Sequence, residues 1–278
     1  MNAEAAIERG IGRLGDRVLV GLEALGEFGL LSWNALGAAL RGHFPGRELL
    51  LQFELIAVRS LPIVAVTAFF TGMVLALQTA FALSRFGAKP YVGSIVGLAI
   101  VRELGPVLAA LMVGARVGAG ITSELGSMTV TEQVEAIRAM GADPVEKLVV
   151  PRMLAATLAL PMLTVFADFL GILGGLIIAD VQYAISPHFY TQTVLNTIEL
   201  SDVVSGIAKT FVFGWIIAMV GCFAGLRTRG GTQGVGRATT NAVVIASISV
   251  LVTDFFLTKL LLLFPTEVIL AALRALVT

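Results

Sequence analysis

Residues 91–115 read YVGSIVGLAIVRELGPVLAALMVGA, an apolar run interrupted only by the adjacent charges Arg102 and Glu103. About 20 mostly apolar residues are enough for a helix to cross the hydrocarbon of a bilayer. This run therefore predicts a transmembrane helix. Comparable runs predict four more spans, at residues 56–82, 148–179, 203–226 and 238–264. We expect an all-α integral membrane protein with five transmembrane helices.

The composition agrees with a membrane protein. Of the 278 residues, 57% are hydrophobic and 14% are charged, and the mean hydropathy is +0.92. Soluble domains have about 25% charged residues. The 19 basic and 19 acidic residues balance, so no basic field would attract nucleic acid, which we do not expect as a partner.

Metal and disulfide sites have little support in the sequence. Cys222 is the single cysteine, which excludes an intrachain disulfide and a multi-cysteine metal site. His43 and His188 are far apart, without the spacing of metal ligands. We expect both histidines in loops and Cys222 as a small buried apolar residue.

The N-terminal region, residues 1–50, differs from the remainder, residues 51–278, which we treat as the five-span domain. Charges recur throughout it, while Leu14, Val18, Leu22 and Leu25 form one helical stripe. This pattern predicts an amphipathic helix lying on the membrane. The apolar run 28–40 is too short to span and has no cleavage-type flank, so it predicts a second interfacial piece rather than a signal peptide.

The distribution of basic residues predicts the orientation. Arginines and lysines concentrate in the N-terminal region, between spans two and three, and after span four, whereas residues 180–202 contain none. Basic loops stay on the cytoplasmic side. We therefore expect a cytoplasmic N-terminus and, after five spans, a C-terminus on the outer side of the membrane.

Between spans two and three, residues 127–148 read SMTVTEQVEAIRAMGADPVEKL. Thr129 and Glu132 have the spacing of a capping box, and Gly141 supplies a stop, which predicts a short amphipathic helix over about residues 129–141. One interpretation is a surface helix resting on lipid headgroups. The other is a docking element that transmits the motion of a partner into the membrane domain. The partner-facing residues would then be Glu132, Gln133, Glu135 and Arg138.

A few polar residues lie within the spans and are candidates for a substrate pathway: Gln78, Arg102, Glu103 and Asp168. Ionisable groups are expensive there and often functional. Adjacent helical residues point about 100° apart, so Arg102 and Glu103 cannot simply satisfy each other. A lipid headgroup site and a structural ion-pair network both remain open for them.

Structural roles compete with function at the other positions. For Gln78 a hydrogen bond between helices is favoured over a ligand contact, and for Asp168 an ion pair with Lys209 or Arg116 is favoured. Pro106 predicts a bend in span two near the charged pair, because it leaves a carbonyl without its donor.

Small residues predict close helix packing. They occur as Gly114-x-x-x-Gly118, as Gly221-x-x-x-Gly225, and around residues 171–175. For each we favour packing within the chain. If the substrate is a two-tailed lipid, five helices could hardly enclose it, and its pathway would form between two copies.

Several motifs together resemble the MlaE family of ABC-transporter permeases. They are RELGPVL (102–108), SELGSM (123–128), TEQ (131–133), DP (143–144) and VPR (150–152), with GMVLALQ (72–78) upstream and GRATTNAVV (236–244) and DF (254–255) downstream. The resemblance covers nearly everything after the N-terminal helix. Asn241 departs from it, since relatives often have a basic residue there.

The resemblance implies a homodimeric permease in the bacterial inner membrane that transports phospholipids or related lipids. Its partners would be two cytoplasmic ABC ATPase subunits, a small STAS-domain protein and a periplasmic hexamer of MCE-domain subunits. Residues 131–140 would then form the coupling helix seated in the ATPase, which adds Thr131 and Ile137 to the contact residues. The chain has no Walker A motif, so it is not expected to be an enzyme, and ATP and Mg²⁺ would belong to the partner.

Two other functions are weighed against this one. A secondary transporter could carry protons on Asp168 and Glu103, but the expected internal repeat of discontinuous spans is missing. An intramembrane enzyme has less support, because no span combines a nucleophile with a base or contains a metal-ligand cluster.

Overall fold

Helices make up the described part of the chain. The computed structural model describes the backbone of residues 4–42 and 46–263, and within these ranges the side chains of Leu19 and of residue 21 onward. Its helical elements are α1 (Glu4–Arg41), α2 (Gly46–Ser84), α3 (Lys89–Val130), α4 (Gln133–Ala139), α5 (Val145–Tyr183), α6 (Pro187–Thr197), α7 (Leu200–Leu226) and α8 (Gly231–Leu263).

The five-span architecture predicted from the sequence is confirmed. No strand occurs in residues 4–42 and 46–263. Five helices, α2, α3, α5, α7 and α8, are long and apolar enough to cross a membrane. The short helix α4 joins α3 to α5 at one end of the bundle, and α6 joins α5 to α7 at the other, so we call these ends the α4 side and the α6 side.

The N-terminal region is one continuous helix. The predicted second interfacial piece, residues 28–40, belongs to α1, so the prediction of two pieces is wrong. The side chains of Leu14 and Val18 lie outside the described residues, whereas Leu22 and Leu25 are exposed.

The second half of α1 is attached to the bundle. The ring of Phe28 packs edge-on against Trp215 and Phe223 of α7, and Glu27 pairs with Arg227 at 3.1 Å. These contacts hold α1 against α7 on the α4 side.

The spans are longer than their apolar runs. α3 continues to Val130, well beyond the predicted end at residue 115, because its later polar residues find partners on α7. The Thr122 hydroxyl donates to the carbonyl of Gly118 at 2.8 Å and lies 3.1 Å from that of Gly221. Residue 264, the last of the predicted fifth span, and His43 lie outside the described residues.

Glycines allow the spans to approach each other within the chain, as predicted. α2 and α5 pack along much of their length, and the space for a Cβ on Gly72 is filled by the backbone of Gly171. Between α3 and α7, a Cβ on Gly221 would lie 3.2 Å from the carbonyl oxygen of Gly118.

The helical pattern of α3 is interrupted twice. Residues Ile100–Leu104 and Gly114–Gly118 each form a π-helical turn. The first ends two residues before Pro106, beside which the sequence predicts a bend, and it contains both Arg102 and Glu103. Such single π turns inside α-helices often occur at functional sites.

The helix α6 covers the α6 side of the bundle. Ser186 accepts a hydrogen bond from the backbone N–H of Phe189 at 3.3 Å, and Pro187 occupies the first turn, so both start signals of a helix are present. His188 is therefore helical, and its predicted loop position is wrong. Tyr190 is buried against Gly93 and Gly175, and this burial raises the pKa of its phenol above the usual range.

Candidate functional site

An ion-paired cluster connects α3, α7 and α8 through one lysine. The Nζ atom of Lys209 lies 2.8 Å from Oε2 of Glu103 and 2.9 Å from Oδ1 of Asp254, and it donates to the Thr258 hydroxyl at 3.0 Å. That hydroxyl in turn donates to Oε1 of Glu103 at 3.0 Å. An ammonium group has three donors, so Lys209, whose side chain is 2% exposed, has a partner for each one.

A second ion pair lies beside this cluster. Arg102 donates through Nε to Oδ1 of Asp202 at 2.6 Å, and its Nη2 lies 2.5 Å from the same oxygen. The other oxygen of Asp202 accepts from the backbone N–H of Glu199 at 3.0 Å, as part of the cap that starts α7. The Asp202 side chain is buried, whereas that of Arg102 is 47% exposed.

Both ion pairs line one cavity of about 590 Å³ toward the α6 side. Its polar lining includes Arg102, Glu103, Ser201, Ser205 and Lys209. Leu261 and Leu262 of α8 add an apolar wall. Ligand cavities are typically about 300–1,000 Å³, so this one is large enough for a lipid headgroup.

Arg102 and Glu103 therefore take different partners, as their angular separation on the helix predicted. Of the two interpretations that the sequence allowed for Arg102 and Glu103, the interhelical ion-pair network is present in the structure. The cavity reaches the exposed side of the Arg102 guanidinium, so a headgroup could still bind there. This headgroup role for Arg102 and Glu103 stays a prediction.

The predicted ion pair of Asp168 is wrong. Lys209 pairs with the carboxylates of α3 and α8 instead. Arg116 donates to the Ser60 hydroxyl at 2.9 Å and to the Leu55 carbonyl at 3.3 Å. Asp168 is 8% exposed on α5. Among the described residues its Oδ1 atom has no hydrogen-bond partner.

The hydrogen bond predicted for Gln78 is not found among the described residues and stays a prediction. Gln78 is exposed on α2, and its side chain has no hydrogen-bond partner within the parts of the chain described. The neighbouring residue makes the interhelical contact instead, since the Tyr183 hydroxyl donates to the Leu77 carbonyl at 3.2 Å.

Sequence reasoning missed three members of the ion-paired sites. Asp254 lies in a span and could have been found by the criterion that singled out Asp168. Asp202 was placed at the edge of a connection, although it is three residues after Glu199 in a capping pattern. Nothing in the sequence singles out Thr258.

The helix α4 is the second candidate site, and its start differs from the prediction. Thr129 still belongs to α3, where its hydroxyl donates to the Leu125 carbonyl at 2.8 Å, so the predicted capping box is wrong. Glu132 precedes α4 in the left-handed conformation, with φ 60°, and makes no side-chain cap. Gly141, with φ 77°, follows the helix as the predicted stop.

One side of α4 is anchored and the other is exposed. Val134 is buried in the core of the bundle, and Ile137 is partly buried against it. The other candidate coupling residues are exposed, and we call them the α4 surface: Thr131, Glu132, Gln133, Glu135 and Arg138. Glu135 and Arg138 form an exposed pair at 3.3 Å.

The two spans that hold α4 are themselves joined by an ion pair. Arg152 at the start of α5 lies 2.7 Å from Glu124 of α3, and it donates to the Leu148 carbonyl at 2.6 Å. The arginine side chain is buried while the glutamate is half exposed. This ion pair therefore ties together the two spans that flank α4.

Five apolar spans, with a short helix between the second and the third, define a multi-pass helical membrane protein. Comparison with known proteins makes the class specific. The family model described as Permease MlaE matches residues 49–260. The chain belongs to the MlaE family of ABC-transporter permeases, as the motifs indicated.

Individual relatives support this membership. The chain is 40% identical to a probable ABC transporter permease protein of Rickettsia felis, over 89% of this chain and 95% of the relative. It is 33% identical to the intermembrane phospholipid transport system permease protein MlaE of Haemophilus influenzae, over 90% and 97%. It is 36% identical to the chloroplastic protein TRIGALACTOSYLDIACYLGLYCEROL 1 of Arabidopsis thaliana, over 79% and 63%.

Proposed function

We propose that this chain is the permease subunit of an ATP-driven transporter that moves phospholipids or related lipids between the inner membrane and periplasmic MCE-type carrier proteins. The observation that carries this proposal is the similarity, over 90% of the chain, to the Haemophilus influenzae permease of an intermembrane phospholipid transport system. Membership of an ABC permease family favours this function over an ion-coupled secondary transporter or an intramembrane enzyme.

In this proposal, two cytoplasmic ABC ATPase subunits bind the α4 surface. Support comes from its exposed polar residues and from the buried Val134, which ties α4 to the bundle. The Arg152–Glu124 pair would transmit the motion of the ATPase to both flanking spans. ATP and Mg²⁺ would be held by the ATPase, because this chain contains no Walker A motif. An accessory STAS-domain protein belongs to the same proposal through the family resemblance.

Two copies of the chain would form the lipid passage. The last span, α8, leaves a long apolar face uncovered, which includes Val244, Ile245, Ile248, Leu251, Val252 and Phe255. A second copy could cover this face in a symmetric dimer. The MCE-domain hexamer would then contact the α6 side.

The chemistry of a lipid explains how an apolar passage and a polar cavity can belong to one pathway. Exposing roughly thirty acyl methylenes to water costs on the order of 25 kcal/mol, so the passage must stay apolar along most of its length. Only the headgroup needs polar partners. We assign that role to Arg102 and Glu103, with the half-exposed guanidinium facing a phosphate, and place Gln78 along the passage.

The proposed orientation is supported by the positions of the basic residues. Arg138, Lys147 and Arg227 lie on or next to elements of the α4 side, which we place in the cytoplasm. The N-terminus would share that side, and the C-terminus would lie in the periplasm.

Purification of the untagged assembly in mild detergent tests this function. We expect mass spectrometry to find two ATPase subunits for every two permeases, together with bound phospholipid. Vesicles reconstituted with that assembly should release labelled phospholipid to an MCE-domain acceptor only when ATP is hydrolysed. Transport by vesicles that contain this chain alone would refute the proposal.

A further inference from the structure

The polar cavity between α3, α7 and α8 exposes unequal numbers of basic and acidic groups. Five charged residues line it. Lys209 and Asp202 are buried, with side chains 2% and 4% exposed, and each is engaged in an ion pair. The exposed members are one cation, Arg102, and two carboxylates, Glu103 and Glu199. A ligand in the cavity therefore meets one basic group and two acidic groups.

Arg102 keeps donors for an anion. Its contacts with Oδ1 of Asp202 use Nε and Nη2, and within the described ranges its Nη1 atom makes no hydrogen bond. The side chain is 47% exposed. Guanidinium groups match the geometry of phosphate oxygens. The phosphate of a headgroup therefore finds its donor at Arg102.

The two exposed carboxylates keep acceptor positions for a cation. Each oxygen of Glu103 accepts one hydrogen bond, from Lys209 or from Thr258. Glu199 accepts from the Ser201 hydroxyl at 3.2 Å and from a backbone N–H in the cap of α7. A carboxylate has about four acceptor positions, so both glutamates retain capacity for a cationic donor.

The phosphate donor and the two carboxylates are neighbours. Glu103 follows Arg102 in the first π-helical turn of α3. Glu199 is joined to Arg102 through Asp202, whose second oxygen accepts from the Glu199 backbone N–H at 3.0 Å. In an ethanolamine headgroup only two carbon atoms separate the ammonium group from a phosphate oxygen. Such a headgroup therefore reaches both kinds of partner at once.

The charge balance of the cavity disfavours an anionic headgroup. That headgroup would bring one more negative charge to a place where exposed carboxylates already outnumber the exposed cation. Like charges repel more strongly when they are withdrawn from bulk water. A zwitterionic headgroup adds no net charge, and its ammonium group faces the carboxylates.

The lining also favours a primary ammonium over a quaternary one. A quaternary ammonium has no N–H to donate, and proteins that recognise choline typically surround it with aromatic rings. No aromatic residue is among the described residues that line this cavity. Carboxylates instead form strong charge-assisted hydrogen bonds with N–H donors.

We infer that this cavity selects phospholipids whose headgroup carries a primary ammonium, such as phosphatidylethanolamine, over anionic phospholipids such as phosphatidylglycerol. The phosphate binds Arg102, and the ammonium donates to Glu103 and Glu199. Leu261 and Leu262 contact the acyl chains. The inference rests on the proposed function, which places a lipid headgroup in this cavity, and it adds the headgroup class and Glu199 as a residue that determines specificity.

Photolabelling of the full-length chain in phosphatidylcholine nanodiscs tests the selectivity. Three probes carry the same photoactivatable acyl chain, with the reactive group near the glycerol, and differ only in an ethanolamine, choline or glycerol headgroup. Labelling of peptides within residues 199–209 and 258–263 reports the cavity. Labelling of residues 66–74, where Val66, Phe70 and Val74 are exposed on α2, reports lipid outside it.

We expect the ethanolamine probe to label the cavity peptides about tenfold more than the glycerol or choline probe, the effect of one hydrogen bond to a charged group. All three probes should label residues 66–74 equally. Equal labelling of the cavity peptides by the three probes, or a preference for the glycerol or choline probe, would overturn the inference.

A variant that adds a cation to the cavity should remove the selectivity. Ser201 lines the cavity beside Glu199 and takes part in neither ion pair. In Ser201→Lys the ratio of ethanolamine to glycerol labelling should fall from about ten to about one or below. Ser84→Lys is the matched control, because Ser84 at the end of α2 lies outside the cavity lining, and its ratio should stay near ten. An unchanged ratio in Ser201→Lys would contradict the inference.

A nearly isosteric variant covers the case in which Ser201→Lys does not fold. Glu199→Gln removes one exposed charge but keeps an oxygen that accepts the N–H in the cap of α7. The labelling ratio should fall by about threefold, because one of the two carboxylates remains. Glu54→Gln, at an exposed position on α2, is the matched control and should keep the ratio. The same ratio in both glutamine variants would overturn the role of Glu199.

The result for the headgroup is separable from the result for the proposed function. Labelling of the cavity peptides by all three probes alike would overturn the selectivity and leave phospholipid transport standing. No labelling of these peptides by any probe would overturn both the selectivity and the headgroup site on which the proposed function relies.

Discussion

Replacing Lys209 by methionine tests the ion-paired cluster. The substitution keeps a long apolar side chain but leaves Glu103 and Asp254 facing each other without their shared cation, which lies 2.8 and 2.9 Å from them. Removing one partner from a buried ion pair costs about 3–5 kcal/mol. Glu103 is 41% exposed toward the cavity and can be hydrated, so we expect a loss of about 2–3 kcal/mol.

The measurement is the free energy of unfolding of the purified chain in mixed micelles, followed by tryptophan fluorescence. Lys259→Met is the matched control, because Lys259 is an exposed lysine on α8 and exposed substitutions change stability by about 0.5 kcal/mol or less. In the Lys209→Met background, Asp254→Asn removes one of the opposed charges and should recover about 1 kcal/mol. Equal losses for both lysine variants, or strict additivity with Asp254→Asn, would refute the cluster.

Three further predictions concern close packing and backbone conformation. Gly105→Ala places a Cβ on Oδ1 of Asp168 and should lower the free energy of unfolding by about 1–3 kcal/mol. Adding Asp168→Ala should recover most of this loss. If it does not, another contact is responsible. Glu132→Gly relieves the strain of the left-handed backbone, with φ of 60°, and should raise the free energy of unfolding by up to about 1 kcal/mol. Glu132→Val should lower it. A valine variant that is more stable than the glycine variant would contradict this conformation. In Gly72→Ala the new Cβ would overlap the backbone of α5, so this variant should lower the melting temperature. Gly37→Ala is the control, because its Cβ has no neighbour within 4 Å and should not lower the melting temperature. Equal melting temperatures for the two variants would contradict the packing of α2 on α5.

The sequence predicts the spans because the bilayer imposes a simple length requirement on apolar runs. It does not predict where those helices end. α3 extends to Val130 because Thr122 and Thr129 bond to backbone carbonyls of their own helix and of α7, which no local pattern reveals. For the same reason the Thr129–Glu132 spacing was mistaken for a helix start.

The candidate site was predicted in part. Arg102 and Glu103 stand out in any apolar run, but their partners depend on how α7 and α8 are rotated toward α3, which the sequence of α3 alone does not contain. Asp168 differs, because the structure gives it no cationic partner among the described residues. Lys209 and Arg116 in other spans are plausible partners by sequence, but both contact other residues. The sequence identifies the ionisable side chains that are costly to bury within a membrane. Only the packing of the helices decides which of these side chains form ion pairs.

The attachment of a nucleotide-hydrolysing partner at α4 is the claim on which the proposed function depends. Its most direct measurement is the ratio of ATPase subunit to permease that co-purifies in mild detergent. Substituting tryptophan for both Gln133 and Glu135 adds bulk to the exposed side of α4 without touching the buried Val134. The matched control is Asp180→Trp, an exposed position at the opposite end of α5.

We predict one ATPase per permease for the unaltered chain and for the control, and a ratio at least about tenfold lower for the double tryptophan variant, as expected when the centre of an interface is blocked. Full co-purification of the ATPase with the double tryptophan variant would contradict the account.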